Sequence, residues 1–119
     1  MPAPGSAVSC KTFHIAGILT TVYGLDELSP IATSISCLWL LHPRLQTRQR
    51  MEAIAVRSID EWNKRPQLEK SVGLIAVAFD QRNHGSREVD AHANGSWRDG
   101  NKTHAQDMFR YGGRVSFCY

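Results

Sequence analysis

Gly73-Leu74-Ile75-Ala76-Val77-Ala78-Phe79-Asp80-Gln81-Arg82-Asn83-His84-Gly85-Ser86-Arg87 is an apolar run that stops at an aspartate and opens into a polar turn. A run of this length, rich in Ile, Val and Phe and bounded by turn residues, predicts a buried strand of a parallel sheet. In open α/β sheets, ligands bind just beyond the carboxyl ends of strands. Asp80 through Arg87 thus fall where an α/β protein keeps its chemistry.

The flanking sequence extends the pattern. Met51, Ile54, Ala55, Ser58, Ile59 and Trp62 recur at spacings of three and four, which predicts the apolar face of a helix. Arg50, Glu52, Arg57, Glu61 and Lys64 take its other face, Thr47 can cap its start, and Pro66 stops it. Before it, Ile35 to Leu41 predicts a second buried strand, ended by His42-Pro43. Cys37 reads there as a small buried hydrophobe, and Trp39 and Trp62 read as core. Thr12 to Val22 is β-branched and aromatic and predicts strand, in one or two pieces around Gly17. Downstream, Thr103-His104-Ala105-Gln106 has the form of a capping box and predicts a helix through Phe109. A strand–helix–strand order implies a right-handed crossover and a parallel sheet.

Composition sets the class. A chain of 119 residues is enough for one domain with a core. An apolar share of 42% and a charged share of 21% are those of a globular protein. No segment approaches the roughly 20 apolar residues that span a bilayer, so no membrane association is expected. The net charge of +3 comes largely from arginines and lysines interleaved with acids around residues 44–65. That pattern predicts a solvated helix face and no nucleic-acid partner. The N-terminus has neither a basic region nor an apolar core of the secretory type. A cytoplasmic location is therefore expected, with Cys10, Cys37 and Cys118 as reduced thiols in no CxxC spacing. The sequons at Asn94 and Asn101 then read as chance matches.

These residues resemble the front portion of an α/β-hydrolase-fold protein. Leu38-Trp39-Leu40-Leu41-His42 resembles that fold's third strand and the turn after it, and residues 44–65 its first long helix. Phe79-Asp80-Gln81-Arg82-Asn83-His84-Gly85 resembles the Asp-x-Arg-x-x-Gly turn after its fourth strand. Trp97-Arg98-Asp99-Gly100-Asn101, running into His104-Ala105-Gln106-Asp107-Met108, is similar to the start of the next helix in a fungal-type, uncharacterised branch. The resemblance spans roughly residues 12–110. It implies a partial α/β-hydrolase fold with a mostly parallel sheet and flanking helices, and a serine hydrolase acting on carboxylic esters. The substrate of the full-length family would be a small ester-type molecule, with no cofactor.

In such enzymes a serine on a Gly-x-Ser-x-Gly elbow attacks, with an acid and a histidine later in the chain. No Gly-x-Ser-x-Gly occurs here: Ser86 lies between Gly85 and Arg87, and Ser96 between Gly95 and Trp97. The elbow belongs after the helix that begins near Thr103, so the chain is expected to be an N-terminal part that is inactive alone and has no catalytic residue of its own. The oxyanion-hole turn would be His42-Pro43-Arg44-Leu45; because Pro43 has no N–H, the donor falls to Arg44 or Leu45. Residues 1–11 are expected to form a loose arm, 12–111 the partial domain, and 112–119 an irregular tail. Val115-Ser116 is also what an unspliced intron donor would encode in frame.

Asp80, Arg82, His84 and Gly85 read as a structural turn, with Asp80 and Arg82 paired locally. The catalytic alternative makes Asp80 a general base. A weaker one is metal-assisted hydrolysis through Asp80, His84, His92 and Asp107, although no zinc spacing is present. A different class of function is a non-catalytic pseudo-hydrolase that binds a partner. In a partial sheet, the strand at 72–79 is expected to become an exposed edge and to invite self-association.

Overall fold

A computed structural model describes residues 8–66 and 71–112. Strands β1 (Cys10–Ile15) and β2 (Ile18–Tyr23) form a hairpin, followed by β3 (Ser34–Leu40). A 3-10 turn at Arg48–Met51 runs directly into helix α1 (Glu52–Asn63), and β4 (Val72–Phe79) follows. Beyond β4 come short 3-10 turns at Gly85–Arg87, Ala91–Asn94 and Trp97–Asp99, the single turn α2 (His104–Asp107), and a π-turn at Met108–Gly112.

The four strands form one sheet in the order β1-β2-β4-β3. This corrects the expectation of a mostly parallel α/β-hydrolase sheet. β1 with β2 and β2 with β4 are antiparallel, and only β3 with β4 is parallel. Connection length explains the difference. Ala16 (φ 51°) and Gly17 (φ 79°) make a two-residue turn, and such a turn joins only antiparallel neighbours. The connection from β3 to β4 contains α1 and is the crossover long enough to bring a parallel strand alongside.

The core lies between α1 and one face of the sheet. Strand alternation places Tyr23, Leu38, Leu40, Ala76 and Ala78 on that face. Met51, Ala55 and Ile59 of the helical segment meet them, and Val8 completes the cluster. Gly24 has φ +84°, and a Cβ there would come within 2.9 Å of Ile59, so glycine allows the close approach of β2 to α1. Trp62 is half-buried and donates its Nε1–H to the Val72 carbonyl at 3.1 Å, fixing the end of α1 to the start of β4. Ile54, expected on the apolar face, is 51% exposed at its margin.

The opposite face of the sheet is buried at its centre, at Val22, Val77 and Phe79, and open along its flanks on β1 and β3. Phe13, Ile35 and Trp39 are exposed there, with Trp39 making an edge-on contact to Phe79 at 6.1 Å. Two expectations are corrected: β3 is an edge strand and not a buried one, and Cys37 and Trp39 are exposed. The expected edge, β4, lies inside the sheet between β2 and β3. Strand β1 begins at Cys10, inside the stretch read as an arm. The tail at 113–119 and residues 1–7 fall outside the described residues. No helix among the described residues is long and apolar enough to cross a membrane.

Candidate functional site

The carboxyl end of β4 places Asp80, 1% exposed, against the start of the 3-10 turn at Arg48. Asp80 Oδ1 accepts the Arg48 backbone N–H at 2.7 Å. Oδ2 accepts from Arg48 Nη1 at 2.6 Å, Ser86 Oγ at 2.7 Å and the Ser86 N–H at 3.0 Å. The acid thus caps a helical N-terminus from across the fold, where a carboxylate offsets the free N–H groups and the helix dipole. Thr47, expected as the cap, has extended backbone angles but makes no side-chain capping bond.

Burial pushes the Asp80 carboxyl up. The Arg48 N–H, the two Ser86 donors and the Arg48 guanidinium outweigh that, and the carboxyl titrates below its ordinary value. A carboxylate held this way is a weak proton acceptor, with its oxygens already committed. Its ionic partner is Arg48, 32 positions away in the chain, and not the local Arg82 that the sequence reading paired with it. Arg48 Nε also donates to Thr21 Oγ1 at 3.1 Å, which ties β2 into the same cluster. Gly85 has φ +51°, and a Cβ there would fall 2.6 Å from the Asp80 carboxyl carbon. Both the backbone angle and the space require glycine.

Two histidines join the turn after β3 to the turn after β4. His42, 2% exposed, faces the Pro43 carbonyl with Nδ1 at 2.8 Å and the Gln81 N–H with Nε2 at 2.9 Å. A carbonyl only accepts and an N–H only donates, so the ring carries its hydrogen on Nδ1. The Gln81 side chain returns a hydrogen bond to the His42 carbonyl. His84 repeats the arrangement: Nδ1 donates to the Arg82 carbonyl at 3.0 Å, and Nε2 accepts the Leu45 N–H at 3.1 Å. The two rings lie 5.2 Å apart. Of the three oxyanion-hole candidates, His42 is a brace between turns. Arg44 binds the Asn94 carbonyl through Nε and Nη2, at 3.1 and 2.7 Å, and Leu45 has its N–H occupied by His84.

Sequence reasoning missed the asparagines. Asn83, buried at φ 63°, accepts from the Val89 and Asp90 N–H groups and donates to the Asp90 carbonyl and Asn94 Oδ1. Asn94 Nδ2 donates back to the Asn83 carbonyl at 2.7 Å. Asn101, fully buried, bonds the Gly95 carbonyl, Asp107 and Thr103. The signal was present at Asn83, since asparagine in a polar turn is among the residues that readily take the left-handed backbone. The expected capping box at Thr103 is absent: its hydroxyl bonds Asn101 and Asp107. The box forms instead at Ser96, whose N–H and hydroxyl both donate to Asp99 Oδ2.

The remaining candidates do not converge. Among the described residues no three His, Cys, Asp or Glu side chains come together to hold a metal. His104 is tied to the Gly95 carbonyl, and His92 is exposed. No described serine hydroxyl is hydrogen-bonded to a histidine; Ser86 and Ser96 both donate to aspartates. The recess between the two turns, lined by Arg44, Gln81, His84, Asn94 and Met108, holds about 80 Å³, short of the roughly 300 Å³ at which small-molecule sites begin, while a more open one of about 370 Å³ lies beside the same turns against Leu45, Thr47, His84, Gly85 and Asn94. A larger recess of about 410 Å³ lies at the far end of β4, beside Glu27, Leu28, Trp62 and Gly73, away from these groups. Under α1, burial pushes the Tyr23 hydroxyl up to about 12, with Cys10 and Glu52 nearby adding to the effect, so it remains a protonated core group. Comparison with known protein families, with curated proteins and with solved structures found no match.

Proposed function

We propose that this chain is a serine-hydrolase-like unit of the carboxylic-ester type that does not hydrolyse by itself, a pseudo-hydrolase whose turns serve structure. The reading rests on the resemblance at residues 38–42 and 79–85. One observation carries its non-catalytic part: the groups that would act are already paired with one another. The Leu45 N–H is held by His84, the Gln81 N–H by His42, and the Asp80 carboxylate by Arg48 and Ser86. Among the described residues no serine hydroxyl is bonded to a histidine, the pairing that would activate a nucleophile.

A fluorophosphonate probe tests this, applied to the full chain in a sample shown to be folded by a cooperative unfolding transition. The expected result is no labelled serine and no turnover of an activated phenyl ester. Stoichiometric labelling of one serine would overturn the proposal.

Leu45 favours a second reading. It is a non-glycine residue at φ 67°, in the turn where an oxyanion donor is expected, and its N–H points at an acceptor. Strain of this kind is often kept for a functional reason. On this reading the turn offers its N–H to an ester oxyanion formed on a nucleophile carried by another polypeptide. Probe labelling that appears only when a second component is added distinguishes the two.

A further inference from the structure

The edge strand β3 is seven residues long and uncharged. Its seven residues, Ser34-Ile35-Ser36-Cys37-Leu38-Trp39-Leu40, include no charge and no proline. Natural edge strands are usually blunted by one of these, because an open row of N–H and C=O groups is a template for another strand. One side of β3 is paired to β4, and among the described residues no strand pairs with the other. Ile35 is 55% exposed and Trp39 61%, and both project from the open face of the sheet.

We propose that β3 pairs with β3 of a second copy of this chain, antiparallel, about a two-fold axis at Cys37. Symmetry favours this register. Cys37 is the midpoint of Ser34–Leu40, so a strand centred there pairs along its whole length. A two-fold axis normal to the sheet keeps each side chain on its own face. Ile35 then lies opposite Trp39 of the second copy, and Trp39 opposite its Ile35, giving two aromatic–β-branched pairs on the open face. A second copy suits the strand because an uncharged segment meets itself without like-charge repulsion. Area sets the strength. Pairing of one strand with its exposed side chains covers on the order of 500 Å² per copy, below the roughly 800 Å² of a standard interface. The dimer is therefore weak and concentration-dependent.

Sedimentation of the full chain over a wide concentration range tests the association. The weight-average mass should rise from 13.3 kDa toward twice that value. Trp39→Lys should hold it at one chain while keeping the same circular dichroism. A second measurement reads the register without relying on that variant. With Cys10 and Cys118 replaced by serine, mild oxidation should link Cys37 to Cys37, because directly opposed residues lie within disulfide reach. A chain keeping only Cys10 should cross-link many-fold more slowly. A mass that stays at one chain throughout overturns the proposal, and so do equal cross-linking rates for the two thiols. A stable complex with a different protein through β3, in place of self-association, would also overturn it.

Discussion

The turn cluster at the end of β4 and the outer edge of β3 are opposite solutions to the same requirement. Both contain backbone N–H and C=O groups that need partners. In the turn cluster the groups are satisfied within the chain: Asp80 serves Arg48 and Ser86, Asn83 serves Val89 and Asp90, and each histidine takes one backbone N–H. Along β3 one backbone row is unmatched by any described strand, and apolar side chains stand open beside it. Chemistry-bearing residues do not by themselves mark a working site. In the polar cluster the hydrogen-bonding groups are matched to one another, and at the edge a backbone row is left without a described strand beside it.

Substitutions should separate the two regions. The largest effect is expected at Asp80→Ala, which leaves the Arg48 guanidinium, 13% exposed, and the Ser86 donors without their acceptor. Breaking a buried ion pair by removing one member costs about 3–5 kcal/mol, measurable by urea denaturation of the full chain. Gly85→Ala should follow. It places a methyl group 2.6 Å from the Asp80 carboxyl carbon in a left-handed backbone, at about 2–3 kcal/mol. Asn83→Ala removes the acceptor for the part-buried Val89 and Asp90 N–H groups and should cost about 1 kcal/mol.

Acid should act through the same cluster. Asp80 titrates below its ordinary value of 3.8 in the folded chain. Its contribution is present in full above that value and is lost as pH falls through the lower folded one, since the unfolded chain then binds the proton more readily. Asp80→Asn should flatten this part of the stability–pH curve. At the open edge, Trp39→Lys gives up one edge-on ring contact with Phe79, worth about 1 kcal/mol, yet should abolish self-association. The smallest effect belongs to Lys64, whose pairs with Asp60 and Glu61 lie in solvent. Lys64→Ala should leave the unfolding midpoint unchanged.

Element positions were legible in the sequence, and so was the burial of α1's inner face and of β4, but not the exposure of β3. The three-and-four spacing from Met51 to Ile59 located α1, and the apolar runs located β3 and β4 within a residue or two. Strand direction was legible for β3 and β4, which α1 joins as a parallel crossover, and not for β1 and β2, because a period-two pattern is the same for either orientation. The Ala16-Gly17 hairpin lacks the usual Asn-Gly signal, so its antiparallel pairing was hidden. Exposure of β3 was hidden for a related reason: an apolar run records what a strand can bury, not which neighbours are present. At the site, the turn at 80–85 stood out. Arg48 did not, since its role comes from a distant helical start folding onto Asp80.

Amide hydrogen exchange, followed residue by residue at low and high protein concentration, tests the contrast most directly. The Leu45, Arg48, Gln81 and Ser86 amides should be protected to the same degree at both concentrations. Alternate amides of Ser34–Leu40, those facing away from β4, should exchange freely when dilute and slow as concentration rises. Fast exchange at Leu45 and Gln81, or β3 protection indifferent to concentration, would contradict the account.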